Sequence, residues 1–389
     1  MRGLDNFLNW FSTYYIRIFL IGWLSLSEVM ASNKIFEDKS MSLKFSSSNI
    51  QFSLAMYKHL AALKKNENIF YSPFSISASL SMALLGAKTS TLKQMMTALA
   101  LEDMGQNVHE AYEVYLKEIM AGNENFTLKA ANRIYPHVKA NLVRDYLNLC
   151  TKHYHADITP LDYSNSPGPA RETINKWVSD QTADKIQDLI PDGVLNDLTI
   201  AVLVNAIYFK GNWASQFKQS LTRQMPFHTP SGEKIQVQMM YQNEKFNYMH
   251  GEEMKISALE MPYKGDYLSM LFVLPDTVEG LSALEEKLTP NLLDQISSSM
   301  KPRKTEVYIP RFKMEAEFEL SSILSKMGMP EAFSDVADFS GMDESKQTYI
   351  SQVFHKGFVE VNEEGAEAAA ATGTVMMYKV FANNHGIQS

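Results

Sequence analysis

Residues 358–381 read FVEVNEEGAEAAAATGTVMMYKVF, and this stretch decides the fold. On propensity alone Ala366 to Ala371 is helix, because alanine is the best helix former. Two features oppose a packed helix: Gly365 and Gly373 bracket the run, and no large apolar side chain lies between them to anchor it. As a strand, successive side chains point to opposite faces. Ala366, Ala368, Ala370 and Thr372 then face one way, and Glu367, Ala369 and Ala371 the other. A face of such small groups fits between strands that are already packed, while Glu367 stays in water. An exposed alanine-rich helix or tail is the competing reading on composition.

Outward from that stretch, the 389-residue chain has ordinary globular composition, 45% hydrophobic and 21% charged. Its 36 Lys and Arg stand against 44 Asp and Glu, a formal charge of -8, so a nucleic-acid partner, which needs clustered positive charge, is not expected. One cysteine, Cys150, excludes an internal disulfide and a multi-thiolate zinc site. Residues 1–40 form an atypical leader: Ile18 to Leu26 is apolar but too short to span a bilayer, and Val29-Met30-Ala31 has the small-residue pattern of a cleavage site. Either the leader is a signal peptide, or it precedes a true start at Met41, the reading favoured here.

The body, residues 41–389, reads as one α+β domain with no Pro- or Gly-rich linker. Periodicity predicts helices over Asn49–Leu63, Ser75–Leu85, Leu92–Leu99 and Ala170–Thr182. Strands are predicted at Ala201–Phe209, Lys255–Met261, Tyr267–Leu274, Val307–Ile309 and Phe312–Phe318.

The usual catalytic constellations are missing: there is no G-x-S-x-G, H-E-x-x-H, G-x-x-x-x-G-K or C-x-x-C. His153 and His155 flank Tyr154 and read as one face of a strand, a solvated edge rather than a metal site. His109, Glu110 and Glu113 read as helix surface, and Cys150 as an inert buried thiol. Neither catalysis nor a cofactor or metal is expected.

Glu363-Glu364-Gly365-Ala366-Glu367-Ala368-Ala369-Ala370-Ala371-Thr372 resembles the reactive-centre-loop hinge of the serpin family. The resemblance spans most of residues 46–373. Asn68 to Ile76 (NIFYSPFSI), Ile174 to Val178 (INKWV), Val204 to Trp213 (VNAIYFKGNW), Leu259 to Tyr263 (LEMPY) and Ile350 to Lys356 (ISQVFHK) are similar to family motifs, in detail those of the intracellular leukocyte elastase inhibitor-like branch (clade B, ov-serpins).

The resemblance implies three β-sheets, eight or nine helices and an exposed loop at about 363–382. It also implies a serine protease inhibitor acting as a suicide substrate: a target protease cleaves the loop, becomes trapped as an acyl-enzyme, and the cut loop inserts as a new strand. By hinge spacing the scissile bond falls at Lys379-Val380, with Met377 and Tyr378 as rivals; a lysine there suits a trypsin-like protease. Ser72, Ser75, Asn205 and His355 match a polar cluster beneath the opening sheet. Trp213 matches the aromatic where the loop enters, and Arg311 with Glu363 an ion pair at the hinge base.

The implied partner is a serine protease in covalent complex; no nucleic acid, membrane or cofactor is implied, and a monomer is expected. A cytoplasmic location is expected, or secretion if the leader is a signal peptide, in which case the sequon Asn125-Phe126-Thr127 matters. Ala366 replaces the commoner threonine of the hinge. The chain stops at Ser389, where family members continue into a buried hairpin, so a truncated product lacking those core strands is expected. A non-inhibitory or defective member, cleaved as a plain substrate or serving as a binding module, is the alternative.

Overall fold

Ser72-Pro73 opens the central helix for a local reason. The Ser72 hydroxyl accepts the Ser75 N–H at 3.3 Å, and Pro73 occupies the first turn, where a missing N–H costs nothing. The computed structural model describes residues 39–366 except 66, 122–125, 230–232, 266–267 and 278–279. The leader up to residue 38, Asn125, and the loop positions Glu367 to Thr372, Met377, Tyr378, Lys379 and Val380 lie outside the described residues.

Nine α-helices are present among the described residues: α1 (Lys39–Leu63), α2 (Pro73–Gly86), α3 (Thr89–Ala98), α4 (Val108–Ala121), α5 (Arg144–Tyr154), α6 (Pro167–Gln181), α7 (Gly280–Lys287), α8 (Pro290–Ser299) and α9 (Ser321–Lys326). The strands are β1 (Phe126–Pro136), β2 (Ala201–Asn212), β3 (Arg223–His228), β4 (Lys234–Gly251), β5 (Ile256–Pro262), β6 (Ser269–Pro275), β7 (Lys301–Pro310), β8 (Phe312–Glu319), β9 (Gln352–Val361) and β10 (Gly365–Ala366).

The central sheet has the order β1-β2-β10-β9-β8. β2 and β9 pair directly in parallel from Val202↔Gln352 to Tyr208↔Phe358, while β1 and β8 flank them antiparallel. Both faces of the β2–β9 seam are buried, which is why β2 reads as a continuous apolar run. Leu203 and Val353 point into the core around α2; Val202, Val204, Ala206, Phe354 and Phe358 point into a second core with Ile174 and Val178 of α6 and Ile186, Leu189 and Ile190 beyond it.

Three sheets are expected, but the described strands form two hydrogen-bonded sets. The reason is β4, whose 18 residues run unbroken, pairing β3 through its first part, β5 through its last and β7 over Met239 to Tyr248. Trp213, Tyr263, Met240, Leu259, Val359 and Val361 share a core between the two sets.

Candidate functional site

The antiparallel β1–β2 register places Asn132 opposite Asn205, and the parallel β2–β9 register places Asn205 opposite His355. Asn132 and Asn205 meet the Ser75 hydroxyl, and His355 meets the backbone of Ser72, at the start of α2. The Ser72 N–H donates to His355 Nε2 at 3.1 Å, so Nε2 is an acceptor and the ring proton sits on Nδ1, which faces Asn205 Oδ1. Asn205 Nδ2 donates to Ser75 Oγ at 2.5 Å and to Asn132 Oδ1, and Ser75 Oγ donates to Asn132 Oδ1 at 3.3 Å. Burial holds the imidazole neutral, pulling its pKa from 6.5 to about 3.

The four predicted cluster residues are therefore brought together beneath the seam. Asn132 completes the network and was not singled out in the sequence; only the β1–β2 register reveals it.

The hinge sits at the upper end of the same seam. β9 ends at Val361, and Asn362 turns the chain: its Oδ1 accepts the N–H groups of Glu364 and Gly365 at 3.0 and 3.2 Å. Gly365 and Ala366 then run back between the two parallel strands, antiparallel to both, with Gly365↔Asn212, Ala366↔Gly211 and Ala366↔Val361. Gly365 is required here by proximity, since a Cβ would stand 1.8 Å from the Gly211 carbonyl oxygen.

Trp213 fastens this turn. Its Nε1–H donates to the Asn362 carbonyl at 3.0 Å, its backbone N–H donates to the Glu364 carbonyl at 2.8 Å, and its ring stacks on Tyr263 at 4.5 Å between centroids. Arg311 and Glu363 do face each other, but at 3.9 Å; the closer tie is the Thr222 hydroxyl, which donates to the Glu363 carboxylate at 2.7 Å. With the Arg311 side chain 45% exposed, a pair at that length is worth about 0–1 kcal/mol, so Thr222 and the backbone bonds do more to fix Glu363.

Two surface expectations need correction. His153 and His155 are not on a strand: His153 lies in the last turn of α5, buried, 2.8 Å from the Glu113 carboxylate, and His155 is the left-handed cap. His109 is likewise not free surface, since its Nδ1 meets the Tyr154 hydroxyl at 2.6 Å; burial and the nearby His153 lower its pKa to about 4. Cys150 is buried, with its thiol pKa pushed up to about 12, which fits an inert role. Among the described residues no group of three His, Cys, Asp or Glu could hold a metal, and no helix is long and apolar enough to cross a membrane.

A family profile described as Serpin (serine protease inhibitor) matches residues 47–386. Human Serpin B4 is 39% identical over 349 residues, covering 85% of this chain and 89% of its own, and human leukocyte elastase inhibitor is 38% identical over 345 residues, covering 86% and 90%. The crystal structure of uncleaved ovalbumin superposes with a TM-score of 0.80 at 34% identity, covering 84% of this chain and 88% of that one. Thyroxine-binding globulin in complex with thyroxine gives 0.79 at 30% identity, covering 84% and 89%.

Proposed function

The chain belongs to the serpin family, and from that premise we propose that it inhibits serine proteases of the trypsin-like class as a suicide substrate. The observation that carries the reading is β10: the first hinge residues already lie antiparallel between two parallel strands, the only orientation a returning strand can take there. If the same register continues downward, Thr372 lies opposite both Asn205 and His355, and Ala368 and Ala370 share its inward face. Glu367 falls on the opposite face, beside Lys210 and Glu360. Small uncharged groups then meet the core around α2, and the polar cluster receives a threonine hydroxyl.

In this scheme the target's serine Oγ attacks the Lys379 carbonyl, the bond to the Val380 nitrogen breaks, and that nitrogen leaves with the proton as an amine. The acyl group remains on the protease while β2 and β9 separate to admit the hinge. One parallel ladder is exchanged for two antiparallel ones, which supplies driving force beyond the burial of the new strand. The partner is the protease itself, with no cofactor.

Mixing the full chain with trypsin tests this. A band surviving denaturation near the summed masses, with release of a peptide that begins at Val380, is expected; clean cleavage without that band overturns the reading. Thyroxine-binding globulin, with the same fold around a hormone, keeps a binding module as the second reading.

A further inference from the structure

Four exposed cations reach the hinge from separate segments of the chain. Lys218, in the β2–β3 connection, follows Phe217, whose N–H donates to the Glu363 carbonyl at 2.9 Å. Arg223, the first residue of β3, follows Thr222, whose hydroxyl donates to the Glu363 carboxylate at 2.7 Å. Lys264, in the β5–β6 connection, donates its backbone N–H to the Asn212 carbonyl at 2.7 Å, and Asn212 lies opposite Gly365. Arg311, between β7 and β8, stands 3.9 Å from Glu363 and among the described residues is the one of the four paired with a carboxylate. The surrounding sequence is short of acid. Residues 201–232 contain Lys210, Lys218 and Arg223 with no Asp or Glu, in a chain whose formal charge is -8. On the described part of the hinge, Glu364 is the exposed acid. Cations gathered in an acid-free stretch of an acidic protein make a local positive field, and a partner of opposite sign is drawn to it.

We infer that Lys218, Arg223, Lys264 and Arg311 form a docking rim that steers in a protease whose surface beside its cleft is acidic. The Lys379-Val380 bond lies thirteen residues beyond Ala366, a tether of about 45 Å at most. A protease seated on that bond is therefore held near the rim, whose field reaches about 10 Å at 0.1 M salt and about 30 Å at 0.01 M. Lys379 is read by the protease's pocket, whereas the rim reads the protease's outer surface. The rim thus selects among proteases that share a pocket. It rests on the protease reading for its partner.

Rates of loop cleavage on the full chain test the rim, read from release of the peptide that begins at Val380. The probes are anionic and cationic trypsin, which share a lysine-reading pocket and differ in surface charge. In Lys218→Glu/Arg223→Glu/Lys264→Glu, cleavage by anionic trypsin at about 0.01 M salt is expected about tenfold slower than in wild type, shrinking to within about twofold at about 0.5 M. Cleavage of the same variant by cationic trypsin is expected to be faster than that of wild type. Lys58→Glu/Lys93→Glu/Lys117→Glu, on α1, α3 and α4, makes the same change in net charge away from the hinge and is expected to stay within about twofold of wild type. Should the rim variant fail to fold, Lys218→Gln/Arg223→Gln/Lys264→Gln is expected to slow anionic trypsin about threefold.

A rate with anionic trypsin at low salt that matches wild type overturns the rim. So does equal slowing in the α1, α3 and α4 variant, which would assign the effect to net charge. If neither trypsin releases the Val380 peptide, the rim falls together with the protease reading. Salt-dependent slowing without a band that survives denaturation upholds the rim and counts against trapping alone.

Discussion

Replacing Asn205 with alanine removes the centre of the polar network and nothing else of comparable size. Three bonds go: Asn205 Oδ1 no longer accepts from His355 Nδ1, and Nδ2 no longer donates to Ser75 Oγ or Asn132 Oδ1. Ser75 and Asn132 keep their mutual bond at 3.3 Å, so neither is wholly orphaned. His355 is the loser, because its Nδ1–H is fully buried and has no other acceptor among its bonds described above. An orphaned buried donor costs about 1–3 kcal/mol, and the two lost bonds about 0.5–1.5 kcal/mol each. The expected loss is therefore about 4 kcal/mol, a large share of the 5–15 kcal/mol typical of a folded domain. Urea unfolding of the freshly purified protein, followed by far-UV circular dichroism, measures it. A change below 1 kcal/mol would refute the hydrogen-bond assignment, and with it the idea that the seam is held by this cluster.

Other expectations follow from the same geometry. Gly365→Ala places a Cβ against the Gly211 carbonyl, so β10 must lift out of the seam; the amides of Trp213 and Gly365 are expected to lose their exchange protection, and unchanged protection contradicts the packing. Acid should weaken the fold through His355: its folded pKa of about 3 lies below the unfolded 6.5, so the unfolded chain binds the extra proton and stability falls as pH drops from about 6.5 towards 3. Between pH 7 and 5 this amounts to about 2 kcal/mol, and His109, lowered to about 4, adds in the same direction; a urea midpoint constant down to pH 5 rules it out. Ala368→Arg puts a charge on the inward face of the inserting strand, so cleavage by trypsin should continue while the covalent band disappears. Undiminished trapping by that variant would sink the proposed register.

Much of this was legible in the residues because local chemistry and global packing agree. The Ser72-Pro73 start of α2 and the apolar run of β2 are signals that need no partner to interpret. β2 extends past its predicted end to Asn212 because Lys210 and Asn212 pair with β1 and β10 rather than with solvent. β1 and β4 were missed for the opposite reason: β4 alternates Lys, Gln, Asn and Glu with scattered apolar groups, and only its three neighbours make it one strand. His153 was misread because an alternating His-x-His is strand-like in isolation, whereas the preceding Arg144–Thr151 turns already fix a helix. Asn132 carried no local signal at all; its role depends on a register set over 70 residues away in sequence. The hinge is a mixed case, since the residues that identify it begin in β10 and continue beyond the described residues.

The central claim is that the cleaved loop becomes a strand between β2 and β9, and hydrogen exchange of the full chain before and after loop cleavage by trypsin tests it most directly. Insertion predicts that peptides covering residues 367–379 gain strong protection on cleavage, while Val202–Tyr208 and Gln352–Phe358 stay protected through new partners. Cleaved protein whose loop peptides exchange as fast as before would contradict it.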